Sequence, residues 1–273
     1  MKVKVGLCQM NVVKGKQDNL INAKRLISEA VNLGAKIVCL PEIFNGLYAN
    51  DSFIKNAEQQ GEESYQFLST TAKEYQIYLI GGSISEKYNN KLYNTSYVFN
   101  PQGELIAKHR KVHLFDIEVK GKIRFMESDT FTAGNEFTVF DTEYGKFGLA
   151  ICFDIRFVEQ FRIMALNGAK AVFVPGAFNM TTGPAHWQLS FRARAVDNQV
   201  YMLGCAPARN NKGSYVSYGN SLVVNPWGEV VKALNADENV LVSEIDLDYV
   251  DKVREQLPIL KNRREDLYQI LNK

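Results

Sequence analysis

The sequence has few of the residues that hold small folds together covalently or through metal ions. It contains four cysteines and three histidines among 273 residues, and the cysteines form no CxxC pair. Three scattered histidines without short spacing do not make a zinc pattern. Widely spaced thiols, mostly within apolar runs, favour reduced cysteines. The sequence therefore predicts no metal site, and it predicts a reducing, cytoplasmic location.

Strong charge bias and long apolar runs are also absent. The 32 basic and 30 acidic residues leave a net charge of +2, which argues against nucleic acid or an anionic membrane as partner. The basic run Lys108–Lys111 is short and lacks interleaved aromatic residues. No apolar stretch approaches membrane-spanning length, and residues 1–9 follow a strand pattern with no long apolar region. We expect no membrane span and no secretory signal.

The chain contains an internal repeat. Three pairs of segments match in the same order, and these are Gly34–Pro41 with Gly168–Pro175, Gln76–Gly81 with Gln199–Gly204, and Asn100–Glu104 with Asn225–Glu229. The spacing between the two copies drifts by only a few residues, as insertions in loops would allow. The repeat indicates one β-α-β-α-β-β unit used twice.

Helical periodicity lies between the predicted strands of each unit. The four predicted helices are 18–33 and 64–75 in the first half, and 157–167 and 185–196 in the second. Strands that alternate with helices imply a sheet covered by helices. Because apolar strands need cover on both faces, we expect an α/β fold, a four-layer α-β-β-α sandwich. The predicted single domain spans 1–273, with its core at about 3–250 and a charged tail at about 257–273.

One cysteine lies at the end of a strand, where a nucleophile is often found. The segment 145–157 is an apolar strand that ends in a turn at Cys152, before a predicted helix. A helix start or a nearby cation activates a thiol by lowering its pKa. A buried structural cysteine is the alternative, since free cysteine is among the most buried residue types.

A cysteine nucleophile needs a base. His186 lies at a predicted helix start, where a hydrogen-bonded structural histidine is the better interpretation, although a papain-like Cys-His pair stays open. A buried carboxylate can replace histidine, and Glu42 follows an apolar strand and a proline. Lys111, in a polar, loop-like segment, supplies a positive charge.

The two halves differ where chemistry is expected. The first repeat continues from its proline into Glu42, whereas the second continues into Gly176. Ligands gather at the carboxyl ends of strands in sheets of this kind, which is where Glu42 and Cys152 would lie. The long connections 43–63 and 112–137 are predicted to form rims or lids of the site.

Three motifs in this order resemble the Glu-Lys-Cys triad of the nitrilase-type carbon-nitrogen hydrolases. They are Pro41-Glu42, then 109–115 around Lys111, then 151–157 around Cys152, and the resemblance covers residues 3 to about 268. The sequences of residues 175–187 and 194–201 are similar to those of the ω-amidase branch.

The resemblance implies a role for each residue. Cys152 would attack the amide carbonyl, and Glu42 would pass a proton to departing ammonia and then activate water. Lys111 and the backbone N–H of Phe153 would stabilise the oxyanion, and Glu127 would support the site. Where ω-amidases carry tyrosine after the cysteine, Phe153 keeps the N–H but loses a hydroxyl. This chemistry requires no cofactor.

An ω-amidase acts on the monoamide of a short dicarboxylate, such as 2-oxoglutaramate or succinamate, and must bind a free carboxylate. Arg156 is the nearest candidate, because arginine binds carboxylates through a planar fork, although a structural ion pair with Glu159 stays open. Hydroxyl and amide groups of Asn179, Thr181 and Thr182 are further candidates. Their alternative role is turn formation.

Other functions stay open at this stage. A related branch cleaves the amide of deaminated glutathione, nitrilases proper share the triad, and a non-catalytic scaffold could retain the fold. The intact set of Glu42, Lys111 and Cys152 argues against a scaffold. The resemblance also implies a homodimer or higher homo-oligomer, formed through the helices at 157–167 and 185–196.

Overall fold

The computed structural model describes residues 1–121 and 123–270. Its α-helices are Lys16–Asn32 (α1), Asn50–Lys55 (α2), Glu63–Tyr75 (α3), Val158–Leu166 (α4), Gly183–Asn198 (α5) and Leu247–Gln256 (α6). Its strands are Lys2–Gln9 (β1), Ile37–Cys39 (β2), Tyr78–Ile80 (β3), Ile84–Tyr88 (β4), Lys91–Phe99 (β5), Leu105–Arg110 (β6), Asp116–Val119 (β7), Ile123–Met126 (β8), Thr138–Thr142 (β9), Gly145–Leu149 (β10), Ala171–Pro175 (β11), Tyr201–Cys205 (β12), Leu222–Val224 (β13), Val230–Ala233 (β14) and Asn239–Asp246 (β15). Two 3-10 turns lie at Glu127–Asp129 and Cys152–Arg156.

The strands form two large sheets and a hairpin. One sheet has the order β15-β1-β2-β3-β5-β4, with β6 paired to β5, and the other has the order β14-β13-β12-β11-β10-β9. Strands β1, β2 and β3 run parallel, and so do β10, β11 and β12. An antiparallel strand then follows in each sheet, β5 beside β3 and β13 beside β12. This shared order confirms the predicted repeat of the two halves.

Apolar side chains separate the layers. Alternate residues of β1 point to opposite faces, so that Val5 and Leu7 pack between the sheets while Cys8 packs outward against α1. Phe173 and Leu203 of the second sheet meet the first sheet in the same central layer. Helices α1 and α3 cover the outer face of one sheet, and α4 and α5 cover the other. The predicted four-layer α-β-β-α sandwich is confirmed.

The predicted helices lie within two residues of their observed bounds, but the predicted long connections are more structured than expected. Residues 43–63 contain the short helix α2, and 112–137 contain the β7–β8 hairpin and a 3-10 turn. The six residues of α2 are too few to show periodicity, and Phe53 anchors them against Phe131. Lys122 of this connection and residues 271–273 of the predicted tail lie outside the described residues.

The carboxyl ends of the central strands meet at one edge of the sandwich. Glu42 follows β2, Cys152 follows β10 and Ala177 follows β11. The Ala177 N–H donates a hydrogen bond of 2.8 Å to Glu42 Oε2, so the two sheets are joined directly at this edge. Within 1–121 and 123–270, no helix combines the length and apolar character needed to cross a membrane.

Candidate active site

A buried ion cluster lies at this edge, with Lys111 at its centre. Lys111 Nζ is 2.9 Å from Glu42 Oε1 and 2.8 Å from Glu127 Oε2, and all three side chains are fully buried. Glu127 Oε2 also accepts a hydrogen bond of 2.6 Å from the N–H of Phe115. A buried charge is tolerated only when it is paired and hydrogen-bonded, and here one ammonium serves two carboxylates.

Two further residues complete the cluster. Asn94 Nδ2 donates to Glu42 Oε1 at 2.9 Å and to Glu127 Oε1 at 3.0 Å, and the Tyr48 hydroxyl lies 3.4 Å and 3.5 Å from the same oxygens. No sequence motif identifies Asn94 or Tyr48 as a site residue. Asn94 is placed by strand pairing, since Lys111 N–H donates to the Asn94 carbonyl at 2.8 Å beside the β5–β6 pairs. Only the strand register could have identified it.

The charges in the cluster determine its protonation. Burial alone lowers the pKa of Lys111, but the carboxylates of Glu127 and Glu42 outweigh burial and raise that pKa above its usual value. Burial raises the pKa of Glu127, and Glu42 adds to this while Lys111 opposes it. Lys111 therefore keeps its proton at every pH at which the fold is stable.

Cys152 begins the 3-10 turn after β10 in a constrained backbone. Its φ of +48° is unusual for a residue with a side chain. Gly176 makes this turn possible, because a Cβ there would lie 3.2 Å from Cys152 Cα and 3.2 Å from the Trp187 ring. The difference between the repeats noted in the sequence, glutamate in one half and glycine in the other, thus has a steric reason. The next residue, Phe153, is the second residue of this turn, and N–H groups at the start of a helical turn have no acceptor within it.

The Cys152 thiol is neutral in the resting site. Burial raises its pKa well above the usual value, the nearby Glu42 carboxylate raises it further, and Lys111 acts in the opposite direction. A neutral thiol is a poor nucleophile, so it needs a base within reach. Glu42 is the carboxylate with the largest effect on the pKa of this thiol, which makes it the candidate base.

Asp154 connects the Cys152 turn to the Lys111 segment. It is fully buried, and its oxygens lie 3.1 Å from His109 Nε2 and 2.8 Å from His113 Nδ1, residues that flank Lys111. It also accepts hydrogen bonds from the Ile151 and His113 backbones at 2.9 Å. Burial alone raises the pKa of Asp154, but the two histidines hold it well below its usual range. The ionised carboxylate therefore fixes the turn at Cys152 against the segment after β6 that contains Lys111.

All three histidines contact side chains other than that of Cys152. His109 and His113 hydrogen-bond to Asp154. His186, on the first turn of α5, has its Nδ1 3.2 Å from a guanidinium nitrogen of Arg156. Within the described residues, none hydrogen-bonds to Cys152. This arrangement does not support the papain-like pairing of Cys152 with His186.

A small cavity opens beside Cys152. Phe115, Phe153 and Phe178 form apolar walls, and Arg156 lies on the same wall as Phe178, its guanidinium 5.1 Å from that ring. The Arg156 Nε is buried without a hydrogen-bond partner, and the partner of the guanidinium is His186, with no carboxylate of the described residues in ion-pair distance. The expected alternative, an ion pair with Glu159, is therefore not formed.

The other candidate substrate contacts divide into two groups. Thr182 lines the cavity with Arg156 and Cys152. Asn179 does not line it, because its Oδ1 accepts hydrogen bonds from the backbones of Thr181 and Thr182 at 3.0 Å and 3.1 Å. Thr181 is exposed to solvent and lies outside the cavity. Asn179 thus forms the turn that was its alternative role, and it presents Thr182.

The fold and the site define the class of protein. Residues 4–255 match the model of the carbon-nitrogen hydrolase family, so the chain belongs to this family and is an enzyme of the amidase type. Within the family it is most like the ω-amidase branch.

Relatives along the whole chain carry this likeness. The omega-amidase NIT2-A of Xenopus laevis is 54% identical over 100% of this chain and 99% of its own, and the human omega-amidase NIT2 is 51% identical over 98% and 97%. Among solved structures, Saccharomyces cerevisiae Nit3, a member of branch 10 of the nitrilase superfamily, is 43% identical with a TM-score of 0.89. That alignment covers 96% of this chain and 97% of the yeast chain.

Asp154→Asn is expected to destabilise the fold in a pH-dependent way. Because the folded state holds the pKa of Asp154 below its ordinary value of about 3.9, the ionised group stabilises the fold above about pH 4, and this stabilisation is lost as the pH falls. At pH 7 the variant should lose about 3 kcal/mol of unfolding free energy. Urea denaturation from pH 7 to pH 3 measures the difference, which should shrink below about pH 4.

Asp141→Asn is the matched control, since that aspartate is largely exposed. A difference between parent and Asp154→Asn that stays constant down to pH 3 would show that ionisation of Asp154 does not contribute.

Proposed function

We propose that the protein is an ω-amidase that hydrolyses the terminal amide of 2-oxoglutaramate or succinamate to the dicarboxylate and ammonia. The observation that carries the proposal is the cavity with a thiol at one end and, on its wall, a half-buried guanidinium that contacts His186 but is paired with no carboxylate of the described residues. A short chain with an amide at one end and a carboxylate at the other matches both groups. The similarity to named omega-amidases supports the same substrate class.

In the first half of the proposed reaction, Glu42 takes the proton of the Cys152 thiol as sulfur attacks the amide carbon. The carbonyl oxygen becomes an oxyanion, which Lys111 and the Phe153 N–H stabilise. Glu42 then gives the proton to the amide nitrogen. The carbon–nitrogen bond breaks, nitrogen leaves as neutral ammonia, and the acyl group stays on sulfur as a thioester.

In the second half, Glu42 takes a proton from water as the water oxygen attacks the thioester. The carbon–sulfur bond breaks, and the proton returns through Glu42 to sulfur, which restores the thiol and releases the acid. Glu127 supports both halves by holding Lys111 in place. The positively charged Lys111 offsets the negative charge that develops twice during each turnover.

The proposed substrate carboxylate binds Arg156 and Thr182. Burial lowers the pKa of Arg156, because no partner anion compensates its charge. An incoming carboxylate supplies that anion, and the Thr182 hydroxyl, which lines the same cavity and donates to Asn179 Oδ1 at 3.3 Å, turns to donate to the carboxylate instead. The narrow cavity favours a short acid over the larger deaminated glutathione.

The central experiment is ammonia release from 2-oxoglutaramate, succinamate, deaminated glutathione and a simple nitrile. We expect release from the first two, and none with Cys152→Ala, because the nucleophile is gone. Glu42→Gln should lower kcat on the order of a hundred-fold or more, the usual contribution of a general base. Cys152→Ala should melt near the parent temperature, because the change is small and removes no charge of the cluster.

Each other result has its own meaning. Release from deaminated glutathione alone would move the protein to the neighbouring branch, and release from the nitrile alone would make it a nitrilase. If the folded parent protein releases ammonia from none of the four compounds, only the non-catalytic scaffold is left as an interpretation.

Arg156→Met should separate charged from neutral substrates. We expect KM for succinamate to rise about ten- to a hundred-fold, because one charge-assisted contact is lost. Hydrolysis of butyramide, which has no carboxylate, should change little. Arg156→Lys should restore part of the loss. Arg124→Met, an exposed position on the hairpin, serves as control, and equal losses on both substrates would contradict a carboxylate contact.

We further propose that the chain acts as a single domain in a reducing compartment such as the cytosol, and that it forms a homodimer. The apolar surface of α4, α5 and the β13–β14 turn supports the dimer, with Leu166, Leu189, Val196 and Trp227 all 40–65% exposed. The four cysteines are buried and unpaired.

Leu189→Glu should shift the mass measured by light scattering from dimer to monomer, since it places a charge in this apolar surface. Ile21→Glu, an exposed residue of α1, is the matched control. A Leu189→Glu variant with unchanged mass would place the interface elsewhere.

A further inference from the structure

A second cavity reaches Glu42 without including Cys152. It has more room for water-sized molecules than the Cys152 cavity, and it is lined by Glu42, Leu47, Tyr48, Pro207, Ala208 and Ser214, among others. Its mouth lies at the exposed residues Asn210 and Ser214. The proposed reaction assigns nothing to this space.

A thin partition separates the two cavities. Both are lined by Ala177 and Tyr215, and the Tyr215 hydroxyl donates a hydrogen bond to the Ala177 carbonyl. Tyr215 also packs on Tyr48 with 4.5 Å between ring centroids. Glu42 lies at the partition, because its Oε2 accepts from the Ala177 N–H. The carboxylate proposed to move every proton of the reaction thus lines the larger cavity, and Ala177, which it hydrogen-bonds, lines both cavities.

The sequence of steps in the proposed reaction suggests a use for the larger cavity. Once the thioester forms, the acyl chain fills the small cavity between Cys152 and Arg156. Ammonia must then leave, and water must reach Glu42, while that cavity is occupied. The larger cavity has walls that are mostly apolar, which admit neutral ammonia and water more readily than an ion such as ammonium or the acid product.

We propose that the larger cavity is a separate passage through which ammonia leaves and water enters, while the acid chain occupies the Cys152 cavity. The inference rests on the proposed function, because it concerns the same thioester. Tyr215 and Ala177 form the boundary that keeps the acyl chain out of the passage.

Ser214→Trp tests the passage, since it places a large ring at an exposed mouth and leaves the buried site untouched. Asn211→Trp is the matched control, an exposed neighbour on the same loop that lines neither cavity. With Ser214→Trp, we expect kcat for succinamate to fall at least about five-fold and KM to fall with it, because release and water access become limiting. The acylated fraction, seen by intact-mass spectrometry after an acid quench, should rise.

Isotope-labelled ammonium supplies a second measurement. Reversal of the first half-reaction incorporates the label into unreacted amide, and Ser214→Trp should slow this incorporation relative to Asn211→Trp. A fall in kcat/KM at unchanged kcat would show that the cavity admits the amide itself, and identical behaviour of the two variants would show that it is idle. Either result would contradict the proposed passage and leave the proposed function standing. A parent that releases no ammonia from any amide overturns the proposed function as well.

Discussion

The ammonium of Lys111 between two buried carboxylates is the interaction on which the rest of the site depends. It compensates the charges of Glu42 and Glu127, neither of which could stay ionised alone at this depth. It also fixes their oxygens so closely that the Asn94 amide bridges the same two atoms. The cost of burying three charges is offset only when the whole cluster forms, so the strands that carry these residues must meet in one register.

The central strands and helices follow from local patterns. Apolar strands ending in proline, repeated in the two halves, predicted both sheets, and periodicity located four helices to within two residues. Structure in the long connections was missed because it depends on tertiary contacts. Helix α2 is held by aromatic packing of Phe53, and the β7–β8 hairpin has no strong alternation of its own.

The same distinction applies to the site. Glu42 and Cys152 could be identified because each follows an apolar strand, and Lys111 because it stands in a recognisable motif. Asn94 could not, because its position beside Lys111 depends on strand register. The partners of His109 and His113 were hidden for a similar reason, since Asp154 lies about forty residues further along the chain. Asn179 and Thr181 stay predictions that lie outside the lining of the cavity, since the Asn179 side chain bonds the backbone of its own turn and Thr181 is exposed.

The two halves of the repeat contribute different parts of one site, and this has a consequence for how the chain folds. Residues of the first half bring Glu42 and Lys111, whereas Cys152 and Ala177 come from the second. Until the second sheet arrives, the apolar inner face of β1 and β2 and the charged cluster beside it both face water. Each half therefore depends on the other to bury its apolar face, and the side chains of Glu42, Lys111 and Cys152 come together only where the two sheets pack.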